Sequence, residues 1–159
     1  MNGTYKNKID DCNIELLKIK TWIDSHTLDS NIRYLVNYSV IKCCGTIENT
    51  YKEIIFDHLA DGSKTENINY LTKNIINSSS NPTTGKMQRM LEDINVNWST
   101  EFETKIRGQN QKGQLNSLVG LRNTFSHGGS ITASIDDVIL FFTAGEWILE
   151  QLYLCIYPI

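Results

Sequence analysis

Apolar residues recur along this chain at three- and four-residue steps, and they nowhere alternate over a length that would make a useful strand. Ile9, Leu16, Ile19 and Ile23, joined by Leu17 and Trp22, predict a first helix over about residues 9–23. Residues 25–30 read as a break. The same stepping then runs from Ile32 through Leu35, Val36, Val40, Cys43, Ile47, Tyr51, Ile54 and Ile55 to Leu59. That predicts one long second helix, loosened at Gly45 and ended by Asp61-Gly62-Ser63. The middle of the chain is less periodic. Short helices are expected over residues 67–76, 85–94 and 99–106, with Asn77-Ser78-Ser79-Ser80-Asn81-Pro82 a loop by composition alone. Residues 107–113 read as a polar, flexible connector. Leu115, Leu118, Val119, Leu121 and Phe125 lead a helix that stops at His127, because Gly128-Gly129 can supply a left-handed cap. Ser134 opens the last helix, with Asp137 placed as its capping-box partner. Ile135, Val138, Ile139, Phe142, Leu149, Leu152 and Ile156 form its stripe, and Phe141, Trp147, Ile148, Tyr153 and Leu154 carry apolar character nearly all the way round. Such a helix is buried centrally or shared with a second subunit. The pattern predicts an all-α helical bundle, one domain over residues 1–159.

Composition narrows the function classes. The chain has 159 residues, 40% hydrophobic and 21% charged, with two Pro, which excludes collagen-like and low-complexity readings. A net charge of −3 argues against gripping nucleic acid by bulk positive charge, yet leaves room for a small basic site on an acidic body. Cys12, Cys43, Cys44 and Cys155 form no C-x-x-C and have no His at metal-ligand spacing, so no metal and no cofactor is expected. The start is polar and Val138–Thr143, the most apolar stretch, is too short to span a bilayer, so the expectation is a soluble cytoplasmic protein with reduced thiols and no membrane partner.

Glycine-rich phosphate loops, Gly-x-Ser-x-Gly elbows and H-E-x-x-H sites are missing. The remaining constellation is Leu121-Arg122-Asn123-Thr124-Phe125-Ser126-His127-Gly128-Gly129. Asn123 and His127 lie one helical turn apart, and the long Arg122 fork can reach the same mouth. Arginine offers a permanent charge and paired donors that match a phosphate or a pentacoordinate phosphorane. Histidine exchanges a proton near neutral pH. Asparagine orients an oxygen. Together they suit metal-free RNA cleavage, in which the 2′-hydroxyl attacks phosphorus and leaves a 2′,3′-cyclic phosphate and a 5′-hydroxyl. On spacing alone, a capped helix end with a surface Arg and His accounts for the same residues, and Ser126 reads equally as a cap.

The R-N-x-x-x-H string followed by small residues, and then a Ser-initiated terminal helix with Asp-Val near its start, resembles the HEPN superfamily (higher eukaryotes and prokaryotes nucleotide-binding domain). The segment order, with Glu48 and Tyr51 on a long second helix, resembles its prokaryotic RiboL-PSP-HEPN type most closely. The resemblance implies a helical bundle that dimerises, so that two motifs face each other in a metal-independent endoribonuclease cleft, often of a toxin or antiviral effector. It implies Arg122 on the scissile phosphate, His127 as general acid or base, and Asn123 positioning substrate, with Ser126 as a further substrate contact. Glu48 either braces Arg122 or is a solvated helix-face residue. Lys105, Arg107 and Lys112 either line an RNA path or belong to a solvated loop. An antitoxin or defence-system protein is a possible partner. The competing expectation is a non-catalytic HEPN-like module that binds a partner protein or nucleotide. His26 and His58 read as surface and helix-end residues, and Tyr34, Tyr38 and Tyr51 as core or interface residues in preference to base-stacking ones.

Overall fold

The computed structural model describes residues 1–158. Among them seven α-helices follow in order: α1 Gly3–Ser25, α2 Ile32–Ala60, α3 Thr65–Leu71, α4 Thr84–Ile94, α5 Val96–Ile106, α6 Asn110–Ser126 and α7 Ile135–Ile156, with no strand. The predicted third helix is split. Beyond Leu71 the chain widens into a π-helical turn, Thr72–Ile76. The differences from the sequence pattern fall at helix ends, where exposed polar turns carry no periodic signal. α1 starts six residues early because the Asn2 side chain accepts from the Thr4 and Tyr5 amides. α6 starts at Asn110, so the flexible connector shrinks to residues 107–109, turned by Gly108 in the left-handed region (φ +72°). α2 runs unbroken through Gly45.

α7 is the central element. It packs most extensively on α6 and α2, and then on α5 and α1. Ser134 caps it in a complete box: its hydroxyl accepts from the Asp137 amide at 3.1 Å, and Asp137 Oδ2 accepts from the Ser134 amide at 2.8 Å. The Ser134 amide and, next, its hydroxyl, which also donates to Oδ2 at 2.8 Å, hold the Asp137 carboxyl below the usual range. From there Ile135, Val138, Phe142, Ile148, Leu149, Leu152, Cys155 and Ile156 are buried. By length and composition α7 is apolar enough to cross a membrane, a longer apolar span than Val138–Thr143 suggested. The buried residues form one side of it, whereas Leu140 is half-exposed and Ile139, Phe141, Trp147, Tyr153 and Leu154 are partly buried.

α2 and α7 touch where side-chain bulk vanishes. A Cβ on Gly145 would sit 2.3 Å from Ile47 Cδ1 and 3.5 Å from Leu115 Cδ1, so glycine lets the two helices close on each other with α6 alongside. Buried on α2 at this level are Val40, Cys43, Cys44, Ile47, Tyr51 and Ile54. All four cysteines are free and buried. Burial pushes the Cys44 and Cys155 thiols up to about 12, which keeps them protonated and inert.

Filling the crossing should be costly. Gly145→Val is expected to lower stability by about 1–3 kcal/mol through overpacking, read from the urea midpoint; an unchanged midpoint would show slack between α2 and α7.

Candidate functional site

α6 ends in a glycine-terminated cap that fixes the motif. His127 is the C-cap residue, and its amide donates to the Asn123 carbonyl at 3.1 Å. Gly128 takes the left-handed conformation (φ +78°) and donates to Phe125 O at 3.0 Å, while Gly129 donates to Thr124 O at 2.8 Å. This is a Schellman turn. Gly129 is held to glycine by close approach, since a Cβ there would lie 2.7 Å from Thr124 Cγ2 and 2.9 Å from its carbonyl oxygen. The turn leaves Ser126 and His127 exposed at the helix mouth, with Arg122 and Asn123 half-buried one turn behind.

Arg122 and Asn123 are held from below by a polar network. Arg122 Nη1 donates to Asn81 Oδ1, and Asn81 Nδ2 donates to Asn123 Oδ1 at 3.1 Å. The Asn81 amide therefore spans both motif residues. Behind it stands Glu48 of α2, whose Oε2 lies 4.0 Å from Arg122 Nη1. Glu48 Oε1 accepts from Lys52 Nζ at 2.6 Å and from the Ser80 amide at 3.1 Å. Lys52 Nζ also donates to the Ser78 carbonyl. With side-chain exposures of 12% for Glu48 and 3% for Lys52, this is a buried ion pair, not a solvated helix face. Glu48 therefore lies behind Arg122 as a nearly buried carboxylate. Tyr51 packs one turn further along α2. Its hydroxyl is buried without a hydrogen-bond partner, although Ser80 lies close enough to work against the larger upward push that burial exerts on the phenol.

Four candidates thus gather at one end of α6: Arg122, Asn123, His127 and, as support, Glu48, with Ser126 beside them. Lys112 does not join. It is exposed in the first turn of α6, ten residues before Arg122 and so about 15 Å along the axis. Lys105 and Arg107 are engaged within α5 by Glu101 (3.3 Å) and Glu103 (3.0 Å). His26 stacks on Trp22, and His58 meets Trp98 and Tyr157 edge-on, away from the motif. No three His, Cys, Asp or Glu among the described residues group as a metal site. Sequence reasoning missed Asn81 and Lys52. The one available signal was the four-residue helical step from Glu48 to Lys52, which places an acid and a base on one otherwise apolar side of α2.

A family model described as RiboL-PSP-HEPN matches residues 6–156, the span from α1 to the end of α7. The chain belongs to the RiboL-PSP-HEPN family. As a HEPN-type domain it is a helical, nucleotide-binding, ribonuclease-like module. Comparison with curated proteins returns no match, and comparison with solved structures returns none. In this HEPN domain the motif arginine is thus part of an internal network from α2 through the 77–82 loop to α6, and only the histidine end faces out.

The network should be visible in stability. Glu48→Gln leaves Lys52 buried without its counter-charge and is expected to cost on the order of 3 kcal/mol. Adding Lys52→Met should recover most of that loss in a double-mutant cycle. Additive losses would show that the two side chains do not act as a pair.

Proposed function

We propose that this HEPN domain is a metal-independent endoribonuclease that works as a homodimer with a composite site. The observation that carries the reading is the convergence of Arg122, Asn123 and His127 on one capped helix end, with Arg122 backed by the buried Glu48 carboxylate. The reaction needs a proton removed from the 2′-hydroxyl, charge stabilised on the phosphorane, and a proton delivered to the departing 5′-oxygen. Arg122 serves the phosphorane. His127 serves one proton transfer, and each chain has one such histidine. A second copy supplies the other, which is the chemical reason for pairing two motifs. Asn123 orients the phosphate or ribose. The 2′-oxygen–phosphorus bond forms as the phosphorus–5′-oxygen bond breaks, giving a 2′,3′-cyclic phosphate and a 5′-hydroxyl. A toxin or antiviral role, restrained by an antitoxin or defence-system protein, follows as the biological setting of such an activity.

A second reading has its own support. Arg122 is already occupied by Asn81, and the body carries a net charge of −3, which fits a non-catalytic module that binds a partner protein or nucleotide.

The deciding experiment is RNA cleavage in EDTA by wild type, His127→Ala and Arg122→Ala. Under the endonuclease reading wild type retains activity with the chelator, and each variant loses at least about 100-fold. Cleavage abolished by EDTA, or equal in all three proteins, overturns it. A solution mass of one chain overturns the composite site. Expression in a bacterial host is expected to arrest growth, and His127→Ala to relieve the arrest; equal toxicity of the two would detach toxicity from the site.

A further inference from the structure

The first two turns of α2 form a second polar surface beside the motif, and the reading of Arg122–His127 does not use it. Arg33, Tyr34 and Asn37 share one face there, at i, i+1 and i+4, and line a cleft of about 300 Å³. Phe125, from the last turn of α6, forms part of the same lining, together with Gly128, Gly129, Ser130 and Ile131. The cleft therefore adjoins the Schellman turn that carries His127.

Its chemistry is one-sided. Arg33 is the single charged residue among those that line it. It makes no ion pair with any described residue, although seven other Lys and Arg side chains besides Arg122 do. Its guanidinium carbon lies 5.0 Å from the centroid of the Tyr34 ring, a cation–π pair that orients both groups. Tyr34 is 59% exposed and Phe125 36%, so two aromatic side chains stand open at the rim of a slot holding one free guanidinium. Asn37 adds an amide able both to donate and to accept. On Arg33's other side an adjoining cleft carries Asp24, Asp29 and Asp136, which repels an anion from that direction. An aromatic face, a phosphate-sized cation and bare glycine backbone next to a proton-transfer residue match one ligand class, a nucleotide in a single strand.

We propose that Arg33, Tyr34 and Asn37 form the subsite for a nucleotide flanking the scissile phosphate of single-stranded RNA. Tyr34 stacks the base, Arg33 holds the neighbouring phosphate, and Gly128–Gly129 give the sugar–phosphate backbone close access on the way to His127. Stacking reads no base edge, so this subsite tolerates any base. It rests on the endoribonuclease reading above and fails separately from it.

The test is fluorescence-anisotropy binding of a labelled, short single-stranded RNA of mixed sequence. It is done in the His127→Ala background so that the strand stays intact. Tyr34→Ala is expected to weaken binding by about 5- to 100-fold, with Tyr34→Phe near the parent. Arg33→Ala should lower the slope of log affinity against log salt by about one. In wild type the same substitutions should raise KM and leave kcat within about twofold. An abasic residue walked along the RNA should reproduce the Tyr34→Ala loss at one position and have no further effect there in the Tyr34→Ala protein. RNA that binds and is cleaved, with Tyr34→Ala and Arg33→Ala indistinguishable from the parent, overturns the subsite alone. Substitutions that weaken RNA binding only by converting the dimer to monomers, read by solution mass, also overturn it and mark this face as the contact between copies. A wild-type protein that neither binds nor cleaves RNA overturns both readings.

Discussion

The Glu48 carboxylate is the constraint on which the candidate site depends. It lies almost out of water on the longest helix, and a charge in that position must be answered by partners. Lys52 answers one oxygen from a single turn along α2, and the Ser80 amide bonds the same oxygen, while Arg122 faces the other. Meeting these obligations draws the 77–82 loop onto α2. The loop then places Asn81 between Arg122 and Asn123. The orientation of the motif is in this sense a consequence of burying one acid.

That burial is possible because the helices beneath close tightly. α7 reaches α2 over Gly145, where no Cβ would fit against Ile47, and Leu115 of α6 fills the third side. The Cys44 thiol, buried at this junction, donates a weak bond to the Leu118 carbonyl at 3.8 Å. α6 is thus seated by its middle, and its last turn projects beyond the packed region. The Schellman turn ends it there, so that packing fixes Arg122 and Asn123 while His127 stays in solvent. Rigidity behind and access in front is the division that the proposed roles of Arg122 and His127 require.

Much of the frame was legible. The α2 run, the stop at His127 and the Ser134–Asp137 box each follow from a local rule, and each is present in the structure. The motif residues were legible because they sit on one helix, where spacing is geometry. Asn81 was not, since nothing in Asn-Ser-Ser-Ser-Asn-Pro distinguishes the amide that bridges α6 from its neighbour at residue 77. Lys52 was hidden for a related reason. A lysine on a helix is ordinarily solvated, and only tertiary contact with Glu48 and Ser78 makes it buried. The start of α6 escaped because polar turns carry no periodicity, and that misplaced Lys112 in a loop near the motif when it belongs at the far end of the helix.

Charge bookkeeping over the whole chain conceals how the cations are deployed. Lys6, Lys8, Lys20, Lys42, Lys52, Lys105 and Arg107 are matched to carboxylates, mostly on exposed faces where such pairs contribute little to stability. They do, however, remove those cations from competition for an anionic ligand. Arg122 is only partly neutralised by a carboxylate at 4.0 Å, and Arg33 makes no ion pair with a described residue. Both stand around the C-terminal end of α6, where the helix dipole by itself would disfavour a phosphate. Two guanidiniums at that end work against that dipole. A net charge of −3 is therefore compatible with the proposed RNA chemistry: Lys18, Lys64, Lys73, Lys86, Arg89 and Lys112 also make no ion pair with a described residue, but Arg33 is the unpaired cation that lines the cleft beside the turn carrying His127.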